Sequence, residues 1–189
     1  SSTTATVRES GVRGDMLWTR VLSDFAPGAS SSSVEHHLDR NVIDSEMNVI
    51  STGKTRRSII ATNLGYDDAM IMKHGPSGEL IWQKQFGSSY NDDIVDVAVD
   101  SNDNIYVFGH TTQANGGTFD GVTVSKSGSS TYSMLWLLIK YNKDGVRQWI
   151  TQIDKTGSSS SYGHARAMDI EGSAIYVAGY SNADSVNQV

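Results

Sequence analysis

An all-β fold made of repeated four-stranded antiparallel units is what this sequence predicts, and three observations predict it. Apolar residues come in short alternating runs such as VDVAVD (95–100) and NIYVFG (104–109), which is the period of strands rather than helices. Proline is rare, at 2 residues, and glycine common, at 18, so turns outnumber breakers. The third observation is an internal repeat. GDMLWTRVLS (14–23), GELIWQKQFG (78–87) and GVRQWITQID (145–154) share Gly-x-x-x-Trp, which places Trp18, Trp82 and Trp149 at spacings of 64 and 67 residues.

A second anchor recurs in the same order. DSEMNVISTG (44–53), DSNDNIYVFG (100–109) and EGSAIYVAG (171–179) are strands ending in Gly53, Gly109 and Gly179. Each repeat then reads as four strands. The first gives about 4–9, 15–22, 38–44 and 48–53. The middle one gives about 68–74, 79–86, 94–100 and 104–109, with turns at GPSG (75–78) and SNDN (101–104). The third gives about 135–141, 146–153, 165–170 and 174–179. A four-stranded unit cannot bury both faces alone, whereas neighbours stacked around an axis can. The expected architecture is therefore a β-propeller of four-stranded antiparallel blades, with three blades present over about 4–53, 68–109 and 135–179.

Residues 65–111 carry a family resemblance. An Asp-aromatic/apolar-x-x-Lys strand, a glycine turn, a Trp strand, Gly-x-x-x-x-Asp-Asp, a Val-Asp-x-x-x-Asn turn and a Tyr-Val-x-Gly strand resemble the SBBP repeat. Asp68, Lys73, Gly78, Trp82, Asp93, Asp100, Asn104, Tyr106 and Gly109 fall on that pattern. In the third repeat Lys140, Gly145, Trp149, Tyr176 and Gly179 match, with Leu135 in place of the first Asp and Tyr162 in place of the loop Asp. The first repeat keeps Gly14, Trp18, Asp44, Asn48 and Gly53. The resemblance implies a propeller and mostly extracellular or surface settings, and it implies no reaction.

Composition narrows the function classes. The 189 residues, 38% apolar, suffice for one sizeable core. The 15 basic and 21 acidic residues are interspersed, which argues against nucleic acid, because a phosphate-binding surface needs clustered Lys and Arg. No run approaches the roughly 18 apolar residues of a membrane span. The chain has no cysteine, so disulfides, thiolate metal sites and cysteine catalysis are excluded.

Several residues invite a chemical reading. The repeated tryptophans, with Trp136 as a fourth, have the makings of a ligand cage, yet one aromatic at one strand position per repeat is what packing between sheets requires. Asp100, Asn102 and Asn104 have the oxygen spacing of a calcium loop but lack its glycine and distal Glu, and a hairpin turn accounts for them. His36 and His37, beside Glu35 and Asp39, align with Asp92 and Asp93 and then with Ser161 and Tyr162; a shared metal ring would repeat its ligands, so these read as solvated loop residues. No cofactor site and no catalytic constellation is expected.

Loop lengths point to one face. The hairpin turns are short and alike, whereas loops 23–37, 53–68, 109–133 and 154–165 are long and dissimilar, and all of them open on the opposite face. That face is the expected partner surface, with Tyr90, Trp136 and Tyr162 as candidate contacts. The expected function is a non-catalytic, secreted or cell-surface scaffold that contacts another extracellular protein or a glycan. A carbohydrate-binding lectin and a fragment of a quinoprotein-like enzyme are the alternatives. Three blades leave apolar faces at both ends, so the expected associates are further blades of a longer parent chain or copies of itself, the latter closing a six-bladed ring.

Overall fold

A computed structural model describes residues 36–125, 134–153 and 163–181. Within them the chain forms β1 (His36–Ile43), β2 (Val49–Thr55), β3 (Asp68–His74), β4 (Leu80–Phe86), β5 (Asp92–Val99), β6 (Ile105–Thr111), β7 (Thr118–Phe119), β8 (Val122–Thr123), β9 (Leu135–Tyr141), β10 (Arg147–Ile153), β11 (Gly163–Glu171) and β12 (Ala174–Ser181). Among the described residues there is no helix. The expected strands fall on these elements to within two residues at each end. Strands 4–9 and 15–22 lie outside the described residues, as does Trp18.

The grouping of strands into sheets differs from the expectation. One antiparallel sheet runs β1-β2-β3-β4 and a second runs β5-β6-β9-β10, while among the described residues β11 and β12 pair only with each other. A blade thus spans 36–86 or 92–153, not 68–109 or 135–179. The middle repeat read from the sequence begins halfway through the first sheet and ends halfway through the second. The reason is the short Gly87–Asn91 link, which carries the chain out of the first sheet so that β5 packs face to face on β1, β2 and β3 instead of extending their ladder.

Packing explains why the alternation is so regular. β6 and β9 are covered on both faces. Ile105, Val107, Leu135, Leu137 and Ile139 meet Ile50, Ala69, Ile71 and Phe86 of the first sheet. Tyr106, Phe108 and Leu138 meet Ala165 and Met168 of β11 on the other side. Each fully buried side chain of this kind stabilises the fold by roughly 1.5–3 kcal/mol.

Four hairpin turns share one geometry. In 44–48, 75–79, 100–104 and 142–146 the first residue's N–H donates to the fifth residue's carbonyl and the fourth residue's N–H donates to the first carbonyl. The fourth residue is left-handed in all four: Met47 (φ 64°), Gly78 (φ 83°), Asp103 (φ 59°) and Gly145 (φ 77°). This is the type I turn closed by a left-handed residue that three-residue hairpin loops favour. Asp44, Asp100 and Asn142 each accept backbone N–H groups of their own turn. Both carboxylate oxygens of Asp100 also accept from the Asn104 amide, which satisfies the calcium-like spacing as a turn.

The anchor residues gain a structural meaning. Gly53, Gly109 and Gly179 stand opposite Leu38, Ile94 and Ala165, where β1, β5 and β11 each carry a bulge. A Cβ there would meet the carbonyl oxygens of His37, Asp93 and His164 at 1.7, 2.0 and 2.3 Å, so only glycine fits. This register also corrects one alignment. The residues equivalent to His36–His37 and Asp92–Asp93 are Gly163 and His164, not Ser161 and Tyr162.

Trp82 and Trp149 are equivalent, each opposite the strand lysine (Lys73, Lys140) beside a bulge, but they are not equally buried. Trp82 lies over Gly145 in the outer turn of the second sheet and donates its indole N–H to the Lys143 carbonyl at 3.1 Å. Trp149 is 37% exposed.

Candidate functional site

The long connections 56–67 and 87–91, and the described part of a third, 112–125, emerge from the same ends of the sheets, opposite the uniform hairpins. Loop 56–67 is held by several side chains, Gln85 foremost. The Gln85 amide oxygen accepts the N–H groups of Ile59 and Ile60, both at 3.1 Å, and of Ala61, while its nitrogen donates to the Arg57 carbonyl and to Asp68. Asp68, fully buried, accepts from the Leu64 N–H. Arg56 pairs with Asp67 at 2.7 Å, and the Asn63 and Ser58 side chains close the loop on itself.

Link 87–91 is fixed in a similar way. Asp92, also fully buried, accepts the backbone N–H and the hydroxyl of Ser88, and Asn91 exchanges bonds with Thr112. Burial, with Asp68 nearby, pushes the Asp92 carboxyl up to about 7 against the stabilising bonds from Thr111 and Ser88. The Tyr66 N–H donates to the Tyr90 carbonyl, joining the two connections. Leu64, 56% exposed, and Tyr66, 67% exposed, project from this support. Beside them lies an open cleft of about 340 Å³ lined by Leu64, Ser88, Ser89, Gln113, Thr118 and Asp120.

Of the contacts expected from sequence, Tyr90 is half-buried on this face. Trp136 is not a loop-face platform. It packs edge-on against Phe108 at 5.7 Å, its indole N–H donates to the Gly163 carbonyl, and it blocks the space beside Gly179. It is a wedge between the second sheet and the β11–β12 hairpin, placed there because residue 136 belongs to β9. Tyr162 lies outside the described residues. Sequence reasoning missed Leu64 and Tyr66, although both sit in a loop already singled out for its length.

A second cavity, also about 340 Å³, lies between the inner strands β1, β5 and β11 and is lined by His37, Asp39, Arg40, Lys54, Asp93 and Arg166, among others. Lys54 and Asp93 pair across it at 3.1 Å. Burial alone would lower the Lys54 ammonium, and Asp93 holds it raised; burial raises the Asp93 carboxyl despite Lys54. The positive and negative groups offset one another here. Among the described residues no cluster of three His, Asp or Glu side chains is placed to hold a metal ion, and no helix is long and apolar enough to cross a membrane.

Antiparallel four-stranded sheets packed face to face are the arrangement that β-propeller repeats take. Residues 81–117, from β4 to the loop after β6, match the family model of the SBBP beta-propeller repeat. No curated protein matches the chain.

Proposed function

We propose that this chain is a non-catalytic propeller scaffold that binds another extracellular protein through its loop face, in a secreted or cell-surface setting. The observation that carries the reading is the pre-organised platform on that face. Leu64 and Tyr66 are more than half exposed, yet the loop beneath them is tied down by Gln85, Asp68 and Asn63. Ordering an apolar surface in advance lowers the entropy cost of association, and a soluble monomer gains nothing from it otherwise. The opposite face repeats one tight turn four times, and its exposed apolar side chains Met47 and Val146 sit singly on separate turns.

A defined pair of variants tests this. Proteins captured from the extracellular fluid of the source culture are expected to be lost with Leu64→Ser/Tyr66→Ala and retained with the hairpin-face variant Glu46→Ala. Equal capture by both variants, with unchanged circular dichroism, defeats the reading. A carbohydrate ligand is the second reading, because Tyr66 offers an aromatic ring beside a cleft whose rim includes Ser88, Ser89, Gln113 and Thr118. Glycan-array binding that disappears with Tyr66→Ala would favour it over a protein partner.

A further inference from the structure

The joint between the two four-stranded sheets contains a further cavity, also about 340 Å³, lined by Lys84, Gln85, Phe86, Asp120, Tyr141 and Arg147. Strand geometry brings these residues together. On β4, Lys84 and Phe86 are two residues apart and so share a face, the one on which Phe86 meets Tyr141 of the second sheet with ring centres 6.2 Å apart. On that sheet Arg147 stands directly opposite Tyr141 in the β9–β10 ladder, and directly opposed residues also share a face. Asp120 arrives from the turn between β7 and β8, where its N–H donates to the Gly87 carbonyl at 2.9 Å.

Hydrogen-bonding capacity in this cavity is lopsided. Arg147 donates to both the carboxylate and the main-chain carbonyl of Asp120, so the acceptors on that wall are engaged. What is left over is donor capacity. Tyr141 is 2% exposed, and its hydroxyl has no hydrogen-bond partner among the described residues. Burial, reinforced by the Asp120 charge, raises that hydroxyl above the usual phenol range, so it keeps its proton and can donate at neutral pH. Lys84, half-buried, acts on Asp120 through space, and an ammonium group carries three donors and no acceptor. Charge is lopsided in the same sense, since two cations, Lys84 and Arg147, face one carboxylate, Asp120. Buried hydroxyls in native proteins are rarely left without a partner, and a concave space of this size with an apolar wall and a few convergent polar groups is the usual form of a small-molecule site.

We propose that this cavity binds a small monocarboxylate, whose oxygens accept from the Tyr141 hydroxyl and the Lys84 ammonium. The ligand is an acceptor because donors are what remain, and it carries a single negative charge because the cations exceed the carboxylate by one. A dianion such as phosphate would bring its second charge against Asp120 uncompensated. The rings of Phe86 and Tyr141 offer apolar surface to the carbon end of the ligand. The inference does not rest on the loop face, so loss of capture by the Leu64→Ser/Tyr66→Ala variant leaves it standing.

Sodium propionate is the probe, compared with sodium chloride and sodium phosphate at equal ionic strength in amide-resolved NMR titrations of the chain at neutral pH. Propionate is expected to shift the amides of Asp120, Tyr141 and Arg147 saturably, with half-saturation at roughly 1 mM, an affinity open to a ligand of five heavy atoms. Chloride is expected to give no saturable shift and phosphate a weaker one. Tyr141→Phe and Lys84→Gln are each expected to weaken propionate binding at least tenfold, by removing a hydrogen bond to a charged group, while the β1 and β2 amides keep their positions. A response to propionate that is absent or matched by chloride would leave the Tyr141 hydroxyl to a fixed water and overturn the proposal. Tighter binding of phosphate, or unchanged affinity in Tyr141→Phe, would overturn it too. If one variant does not fold, the unaltered chain and the other variant keep the test decisive.

Discussion

Two single residues work against the local rules. Met47 holds a left-handed conformation with its side chain 61% exposed, so the turn bears the steric cost of a Cβ and gains no packing from it. Asp103 has the same conformation, but its carboxylate accepts from the Ser45 N–H and hydroxyl at 2.9 and 2.7 Å, tying neighbouring hairpins together. Met47→Gly is therefore expected to stabilise the chain by about 0.5–1 kcal/mol in urea denaturation, while Asp103→Gly forfeits the Ser45 bonds and gains less. Asp92 is the second case. Its carboxyl is raised from an ordinary value near 3.8 to about 7, so between those values the folded chain holds a proton that the unfolded chain has released. Stability is then fully present below about pH 4 as far as this group is concerned, and is lost as pH rises toward 7, by on the order of a few kcal/mol. Asp92→Asn is expected to flatten that slope in thermal melts across pH 4–7, and a slope unchanged from the parent would remove Asp92 as its source.

The buried Lys73–Asp44 pair shows how the turn and the strand are welded into one element. Their atoms are 2.8 Å apart and both side chains are at most 4% exposed. Burial would raise the Asp44 carboxyl, but bonds from Lys73 and Asn48 outweigh it and hold it low. At this scale the sequence was largely readable. Alternation and the Gly-containing turns mark the strands because β6 and β9 need apolar residues on both faces, and Gly53 and Gly109 mark places where a carbonyl leaves no room for a Cβ. The phase of the blades was not readable, since anchors at a fixed spacing define a period and not a starting point. Nor was the hold that Gln85 has on loop 56–67, since a strand glutamine announces nothing about a loop some 25 residues earlier. Gln85→Met is expected to raise amide hydrogen exchange at Ile59, Ile60 and Ala61 by at least tenfold, a factor corresponding to about 1.4 kcal/mol, while leaving β3 and β6 amides protected. Uniform acceleration across the sheets would instead mean that Gln85 supports the fold as a whole.

Between the two four-stranded sheets the joint is aromatic. Phe86 of the first sheet meets Phe119 edge-on at 5.9 Å and Tyr141 of the second sheet at 6.2 Å. The Tyr141 hydroxyl is buried there with no hydrogen-bond partner among the described residues, and burial raises it above the usual phenol range. Removing a buried, unsatisfied hydroxyl restores its desolvation cost, so Tyr141→Phe is expected to raise stability by about 1 kcal/mol or more, read as a higher urea midpoint at unchanged slope. A drop in stability would reveal a partner for that hydroxyl, such as a fixed water. The half-blade offset between repeat and sheet has a consequence at the level of the gene. A tandem duplication of one repeat inserts an outer hairpin that finishes the blade before it and an inner hairpin that the next repeat finishes. Every blade is then shared by two successive copies of the duplicated segment, so a ring can gain or lose members in whole units without ever passing through an ancestor with a severed sheet.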